Sequence, residues 1–198
     1  MKLNWAERWV VNNPVRVLQQ RVEIHMLKRM VSLASGANIL ELGCGRGAGA
    51  GLILKEFRPA LLHASDLDID MIHKAEHYLS PEKKEKTFLF VGDAIRIPYK
   101  DCAMDAVFIF GVLHHVFDWR AALAEIARVL KNNGLLFFEE LYPSLYQNFI
   151  TKRILLHPEH GRFVSSDLKA ELDKVNLSLI HALEFKKLGI LGASMKRS

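Results

Sequence analysis

The chain has 198 residues, of which half are hydrophobic and a quarter are charged. This length and composition suit one compact domain with a substantial core, and they argue against a disordered or low-complexity protein. The formal net charge of +5 could favour an anionic partner, but the basic residues are scattered along the chain, which is more typical of solvated faces.

The apolar segments of the sequence are too short for a membrane protein. Glu7 and Arg8 interrupt the region where a signal peptide needs an unbroken apolar stretch. The most continuous apolar run, residues 106–113, is far shorter than the roughly 20 residues that cross a bilayer. Cys44 and Cys102 have no ligand-like spacing, so they indicate neither a metal site nor a disulfide framework. We therefore expect a soluble, cytoplasmic protein without a metal.

The first predicted element is an amphipathic helix that ends near Gly36. Asn13 can cap this helix, and Pro14 suits a first helical position. Apolar residues then recur at helical spacing. They are Val15, Leu18, Val22, Met26 and Met30.

Short apolar strands alternate with helical patterns through the rest of the chain. The predicted strands are 38–42, 61–65, 87–91, 106–110 and 135–139, and the predicted helices begin near residues 50, 70 and 120. Such alternation predicts a parallel sheet that is covered by helices on both faces. In the tail, Ser165 or Ser166 can cap a helix that continues to residue 175. Two closing strands, 177–185 and 188–195, suit an antiparallel hairpin at the edge of the sheet.

A glycine-rich loop follows the first strand, in the sequence ELGCGRG at residues 41–47. Its glycines let the backbone turn sharply and approach a nucleotide-like ligand. The loop alone is a weak signal, because Gly43, Gly45 and Ala48 also fit the dinucleotide pattern G-x-G-x-x-A. Asp66 closes the next strand and can accept hydrogen bonds from ribose hydroxyls, but nicotinamide dehydrogenases place an acid there too. A dehydrogenase therefore stays open at this point.

The later strands also end in polar residues. Gly92-Asp93-Ala94 follows the third strand, and Asp93 can accept a hydrogen bond from an adenine amino group. The fourth strand leads through Gly111 to His114 and His115. Because the carboxyl ends of parallel strands meet at one edge of a sheet, we expect these groups to lie along one rim.

These segments, in this order, strongly resemble the class I S-adenosylmethionine-dependent methyltransferases, in particular the small-molecule branch with ubiquinone- and menaquinone-biosynthesis-like enzymes. The matching segments are residues 41–47, 66–72, 92–94, 105–115 and 125–135. The resemblance is close over about 39–140, and it follows the tail only in outline. Asn132-Asn133-Gly134 departs from the family, which usually has a proline before this glycine. The segment 142–163 matches poorly, so it weakens any inference about the substrate.

The resemblance implies a Rossmann-like, doubly wound α/β fold with a mostly parallel seven-stranded sheet, helices on both faces and an antiparallel C-terminal hairpin edge. It also implies S-adenosylmethionine as the cofactor, with S-adenosylhomocysteine as its product. Glu41 would face the cofactor's amino group, Asp66 its ribose hydroxyls, and Leu67 its adenine. Asp93 and Ala94 would contact the adenine edge. The residues expected along the methionine part and the reacting end are Gly43, Gly45, Gly47 and Gly111.

Methyl transfer from a sulfonium is an in-line displacement, which needs alignment and exclusion of water more than a metal. His115 and His114 are the candidate general bases, because histidine titrates near neutral pH and both residues lie at the predicted rim. Either histidine could equally be structural. Glu139 and Glu140 could face the methyl acceptor, although carboxylates at a strand end are more often solvated.

We expect a single domain, residues 1–198, with an N-terminal helical lid (1–36), a cofactor-binding core (37–140) and substrate-side helices and closing strands (141–198). Trp5 and Trp9 could belong to the lid with Asn12, Asn13 and Arg16, or could pack the first helix onto the sheet. A small-molecule acceptor is the first hypothesis. The alternatives are an RNA or protein methyltransferase on the same fold and a non-catalytic module that binds S-adenosylmethionine. The sequence predicts neither the acceptor nor the oligomeric state.

Overall fold

One mixed sheet with helices on both faces forms the centre of the computed structural model, which describes residues 13–143, 163–185 and 188–198. The strands of the described residues are β1 (Asn38–Leu42), β2 (Leu61–Asp66), β3 (Thr87–Val91), β4 (Met104–Phe110), β5 (Leu130–Leu141), β6 (Leu177–Phe185) and β7 (Gly189–Lys196). The helices are α1 (Pro14–Met30), α2 (Ala48–Phe57), α3 (Ile69–Tyr78), α4 (Pro81–Lys84), α5 (Trp119–Val129) and α6 (Ser165–Lys174), with a 3-10 turn at Leu113–His115.

The sheet has seven strands in the order β3-β2-β1-β4-β5-β7-β6. The five strands from β3 to β5 are parallel, and β7 is antiparallel to both β5 and β6. The strand order therefore changes direction between β1 and β4, where the chains leaving two neighbouring parallel strands diverge and open a crevice. The prediction of a doubly wound, mostly parallel sheet with an antiparallel C-terminal edge is confirmed.

Two apolar cores lie on opposite faces of the sheet, because successive strand residues point to opposite sides. Phe137 of β5 packs in the core beneath α1 and α2, with Phe57 and Phe108 as ring neighbours. Phe138 belongs to the other core, with Trp119 of α5. Buried residues of β1, β2, β4 and β5 belong to these cores, whereas β3 contributes only partly buried residues.

Helix α1 packs only the C-terminal part of its predicted apolar stripe, Met26 and Met30, against the core. Val15, Leu18 and Val22 are 68%, 61% and 52% exposed. The buried side instead carries Ile24 and Leu27, which pack in the core with α2, together with polar residues that have partners on the protein. Over the first half of α1, the side of the helix that packs on the protein is therefore not the side that helical spacing predicted. The helix also ends at Met30, before the expected Gly36, where Val31 N donates to Leu27 O (3.1 Å).

The cap of α6 also differs from the prediction. Ser165 is the first helical residue, and the preceding Val164 has no side-chain oxygen to act as a cap. Its backbone N–H instead donates to Asp167 Oδ2 (3.0 Å). The Asp167 carboxylate thus satisfies a backbone N–H at the start of the helix, and its negative charge is stabilised by the positive end of the helix dipole. It takes the capping role that we expected of a serine.

Candidate functional site

A cavity of about 330 Å³ lies at the carboxyl ends of β1, β2, β3 and β4, within the usual size of small-molecule sites, about 300–1,000 Å³. It occupies the crevice at the change in strand order. Eight of the residues predicted for the site line it: Gly43, Gly45, Asp66, Leu67, Asp93, Ala94, Gly111 and His115. The ends of four different strands thus contribute to one wall.

The glycine loop after β1 leaves backbone exposed on the cavity wall. Gly43 has a φ of +74°, and a Cβ there would overlap Val112 Cγ2. Gly45 also has a positive φ, +52°, but a Cβ there would meet no heavy atom within 4 Å. Gly43 is therefore needed for close packing against the chain after β4. Gly45 keeps the loop turned, and it faces open space that a ligand can fill.

Asp66 connects this loop to the end of β2. Its Oδ2 accepts from Gly45 N (2.9 Å), and its Oδ1 accepts from Asp68 N (2.9 Å). Burial raises the pKa of Asp66, and these backbone donors oppose that shift. Each carboxylate oxygen has a second lone pair, so the side chain can hold the loop and still accept a hydrogen bond from a ligand.

Glu41 is 2% exposed and lies on β1 beneath the first turn of α2. A Cβ on Gly49 of that turn would overlap Glu41 Oε1. Glu41 Oε2 is buried and has no hydrogen-bond partner among the described residues. Burial, and then the proximity of Asp66, raise the pKa of Glu41 to about 8. A buried carboxyl oxygen of this kind fits a cationic donor, because nearby positive charge would offset the cost of burying the carboxylate.

Three residues predicted for the site lie outside the cavity wall: Glu41, Gly47 and His114. Glu41 is covered by α2, as described above. Gly47 has a φ of +85°, and a Cβ there would approach Ala75 Cβ at 3.1 Å, so it allows α2 and α3 to pack closely. The side chain of His114 is only 5% exposed, because it turns towards β5.

The two histidines lie on the 3-10 turn after β4, with their ring centroids 4.2 Å apart. Only His115 reaches the cavity wall. His114 Nδ1 lies 2.8 Å from Glu140 Oε2. The two histidines thus face different surroundings: His115 lines the cavity, and His114 contacts Glu140 of the sheet.

Glu139 and Glu140 are 5% and 0% exposed, contrary to the expectation that carboxylates at this strand end are solvated. Burial raises the pKa of Glu139 to about 7, although the nearby Arg16 guanidinium lowers it. Arg16 of α1 lines the cavity and forms an ion pair with Glu139 at 2.8 Å. Sequence reasoning considered Arg16 only as part of a lid, since no local pattern indicates a partner 123 residues away.

Sequence reasoning also missed Ile95 in the cavity wall. Ile95 and Leu67 are 42% and 44% exposed, so both present apolar surface at the rim of the cavity. Ile95 directly follows the Asp93-Ala94 pair, and its N–H donates to Asp93 Oδ1 (3.1 Å). Its position next to a predicted adenine contact was the available signal.

Two further structural findings concern residues 13–143, 163–185 and 188–198. They contain no group of three or more His, Cys, Asp or Glu residues that could hold a metal ion. Within the same ranges, no helix has both the length and the apolar character needed to cross a membrane. The predicted lid residues Trp5, Trp9 and Asn12 lie outside the described residues.

A family model described as a methyltransferase domain matches residues 40–138, half of the chain. The chain belongs to this methyltransferase family. Its membership confirms the resemblance to class I S-adenosylmethionine-dependent methyltransferases that the ordered motifs indicated. The match covers the glycine loop, Asp66, Asp93 and the histidine turn, so it includes most of the cavity wall.

Among curated proteins, the chain is 31% identical over 170 residues to a sterol 24-C-methyltransferase of Gibberella zeae, and the match covers 83% of this chain and 43% of the relative. It is 28% identical over 162 residues to a demethylmenaquinone methyltransferase of Corynebacterium urealyticum, covering 80% of this chain and 66% of that relative. The chain thus spans between two fifths and two thirds of the length of these relatives. A solved structure of a SAM-dependent methyltransferase from Aquifex aeolicus matches with a TM-score of 0.76 at 17% identity, over 98% of this chain and 99% of that one. This likeness confirms the fold.

Proposed function

We propose that the protein transfers a methyl group from S-adenosylmethionine to a small molecule by in-line displacement. The observation that carries the proposal is one cavity whose wall joins Gly45, Asp66, Asp93 and Gly111 at the carboxyl ends of the parallel strands. These are the positions at which the family motifs place a cofactor, and the chain belongs to that family.

The residues present fit this cofactor along its length. Asp66 would accept from the ribose hydroxyls, while Asp93 and Ala94 would contact the adenine edge. The exposed side chains of Leu67 and Ile95 supply apolar surface on which a flat adenine ring would pack. These assignments place the adenosine half of the cofactor between β2 and the turn after β3.

The methionine half would lie along the glycine loop. Gly45 presents backbone with open space in front of it. The buried Oε2 of Glu41, which has no hydrogen-bond partner in the described part of the chain, suits the ammonium group of the methionine part. Gly111 would lie beside the reacting end. We keep Gly43 and Gly47 as determinants of the loop's shape, since their missing side chains make room for Val112 and Ala75.

Bound S-adenosylmethionine supplies an electrophilic methyl group, so the chain itself has to orient the acceptor and exclude water. Positioning of this kind contributes on the order of 7–11 kcal/mol to lowering a barrier. His115 is our candidate for taking the acceptor's proton, because it lines the same cavity as Gly111. A general base adds about 10²- to 10⁴-fold in rate. We assign His114 a supporting role, since it is turned towards Glu140.

We also propose that α1 serves as part of a lid within residues 1–36. Arg16 and Gln20 of this helix contribute to the cavity wall, which supports that division of the chain. The core, 37–140, would hold the cofactor, and residues 141–198 would border the acceptor and close the sheet.

Isothermal titration calorimetry tests the cofactor assignment directly. We expect S-adenosylhomocysteine to bind with micromolar affinity, and NAD and NADP to show no binding. Binding of NAD or NADP without binding of S-adenosylhomocysteine would support the dehydrogenase alternative and overturn the proposal.

The acceptor class requires a transfer assay with S-adenosylmethionine labelled on its methyl group. The names of the relatives supply the first probes, a demethylmenaquinone, a sterol and a fatty acid. Label in one of these, and none in total RNA or a protein extract, is the expected result. Salt-sensitive binding and labelling of RNA would favour the nucleic-acid alternative. Cofactor binding without turnover on any acceptor, and no effect of replacing His115, would favour the non-catalytic module.

A further inference from the structure

Two consecutive carboxylates, Glu139 and Glu140, lie close to the carboxyl end of β5 and are both buried. Side chains of neighbouring strand residues point to opposite faces of a sheet. The two carboxylates therefore lie on opposite faces of the sheet, at the level of Gly111 in the cavity wall. Gly111 N donates to Glu139 O (2.8 Å), so the strand backbone itself meets the wall there.

Glu140 holds the histidine turn on one face. Its Oε1 accepts from Val112 N (3.1 Å) and Leu113 N (2.8 Å). Its Oε2 accepts from His114 N (3.4 Å) and lies 2.8 Å from His114 Nδ1. One fully buried side chain thus satisfies three successive backbone donors and a ring nitrogen. An ionised Glu140 offers only acceptors, so in that state the 2.8 Å contact has His114 Nδ1 as its donor.

Glu139 holds α1 on the other face. Its Oε2 accepts from Arg16 Nη2 (2.8 Å), and Arg16 Nη1 also donates to both carboxylate oxygens of Glu23 (3.0 and 3.1 Å). Charge-assisted hydrogen bonds of this kind are about twice as strong as neutral ones. Because Arg16 lines the cavity, its contact with Glu139 fixes the first turn of α1 at the cavity wall.

We propose that Glu139 and Glu140 are positioning residues for methyl transfer. Glu140 holds the position of the turn that places His115 at the cavity wall. Glu139 holds the first turn of α1 through Arg16. Two adjacent residues of one strand thus fix two parts of the wall at the acceptor end of the cavity. This inference rests on the proposed function for its catalytic consequence. The contacts themselves can be tested without an acceptor.

The first test is the tautomer of His114, measured from long-range ¹H–¹⁵N correlations of the histidine rings, with assignment by His114→Gln. In the wild-type protein we expect a proton on Nδ1. In Glu140→Gln the side-chain amide can donate to Nδ1, so the proton is expected to move to Nε2. A wild-type protein with an unprotonated Nδ1 would overturn the proposal, even if the Glu140 variant fails to fold.

The second test measures amide hydrogen exchange and turnover in Glu139→Gln and Glu140→Gln. We expect about tenfold faster exchange in α1 for the first variant and in residues 112–114 for the second. Glu171→Gln is the matched control, because Glu171 is another buried carboxylate, 8% exposed, that pairs with Lys174 on α6. This control should leave both segments unchanged.

Turnover is measured with whichever of the demethylmenaquinone, sterol and fatty-acid probes is methylated. Both variants are expected to lose at least tenfold in kcat while their affinity for S-adenosylhomocysteine stays within about threefold. Wild-type kcat and wild-type exchange in both folded variants would overturn the proposal. A wild-type protein that binds no S-adenosylhomocysteine refutes the proposed function instead, and leaves the tautomer and exchange results to decide the structural role.

Discussion

The two ends of the cavity are built in different ways. At the glycine-loop end, the loop presents its backbone to the cavity, and Asp66 holds Gly45 through one short hydrogen bond. At the β5 end, the wall depends on buried charged side chains, and Arg16 reaches Glu139 across 123 residues. The first end follows from local conformation and the second from tertiary packing. The two ends should therefore respond differently to substitution and to pH.

The largest expected effect is at the glycine loop, in Gly43→Ala. The new methyl group would overlap Val112 Cγ2 in a backbone with a φ of +74°. Overpacking and left-handed strain together should lower the free energy of unfolding by about 4 kcal/mol. Gly45→Ala is the control, because the open space there leaves only strain, about 1 kcal/mol. Urea denaturation measures both, and equal losses would contradict the packing role of Gly43.

The pH dependence of stability tests Glu41. Its pKa in the folded protein is raised to about 8 by burial, so the folded state holds this proton more tightly than the unfolded state does. The resulting stabilisation is present at low pH and is lost as the pH rises towards 8. Between pH 5 and pH 8 the wild-type protein should lose about 3 kcal/mol from this group, and Glu41→Gln should not.

The control for Glu41 is Glu56→Gln, which removes a surface carboxylate paired with Lys28. This variant should keep the wild-type slope between pH 5 and pH 8. Saturating S-adenosylhomocysteine should also flatten the slope of the wild-type protein if its ammonium group lies beside Glu41. If neither Glu41→Gln nor the ligand changes the slope of stability against pH, the assignment of Glu41 to the cofactor site is wrong.

The β5 end is tested by Arg16→Met, which leaves Glu139 and Glu23 without their shared cation. We expect a loss of about 2 kcal/mol in the free energy of unfolding at pH 8. The loss should be smaller at pH 6, because Glu139, with a pKa of about 7, is then largely protonated. Arg16→Lys keeps the charge and should recover part of the loss. A loss that is the same at both pH values would argue against the ion pair.

The smallest expected effect concerns ligand affinity at the loop end. Asp66→Ala removes an acceptor for the ribose hydroxyls and should weaken S-adenosylhomocysteine binding about tenfold, on the order of 1.4 kcal/mol. Asp101→Ala, a highly exposed carboxylate that pairs with Arg128, is the control. Calorimetry measures both variants once their folding is verified. Unchanged affinity in folded Asp66→Ala would contradict the ribose assignment.

Much of the fold and of the loop end could be predicted because the signals are local. Alternating strands and helices predicted the parallel sheet, and the position of Asp66 after β2 placed it at the cavity. The burial of Glu139 and the exposed stripe of α1 could not be predicted in this way. A strand-end glutamate is usually solvated, and helical spacing identifies an apolar stripe without showing which face the rest of the protein covers.

The sequence by itself determined the order of the strands along the chain, the glycine loop and the family, because each depends on residues that are close together in the chain. Tertiary structure alone decided that Glu41 Oε2 is buried without a partner among the residues that the structure describes. It also decided that Glu140 accepts from three backbone donors of the histidine turn and that Arg16 pairs with Glu139. These outcomes depend on burial and on long-range partners, and both exist only after the helices have packed on the sheet.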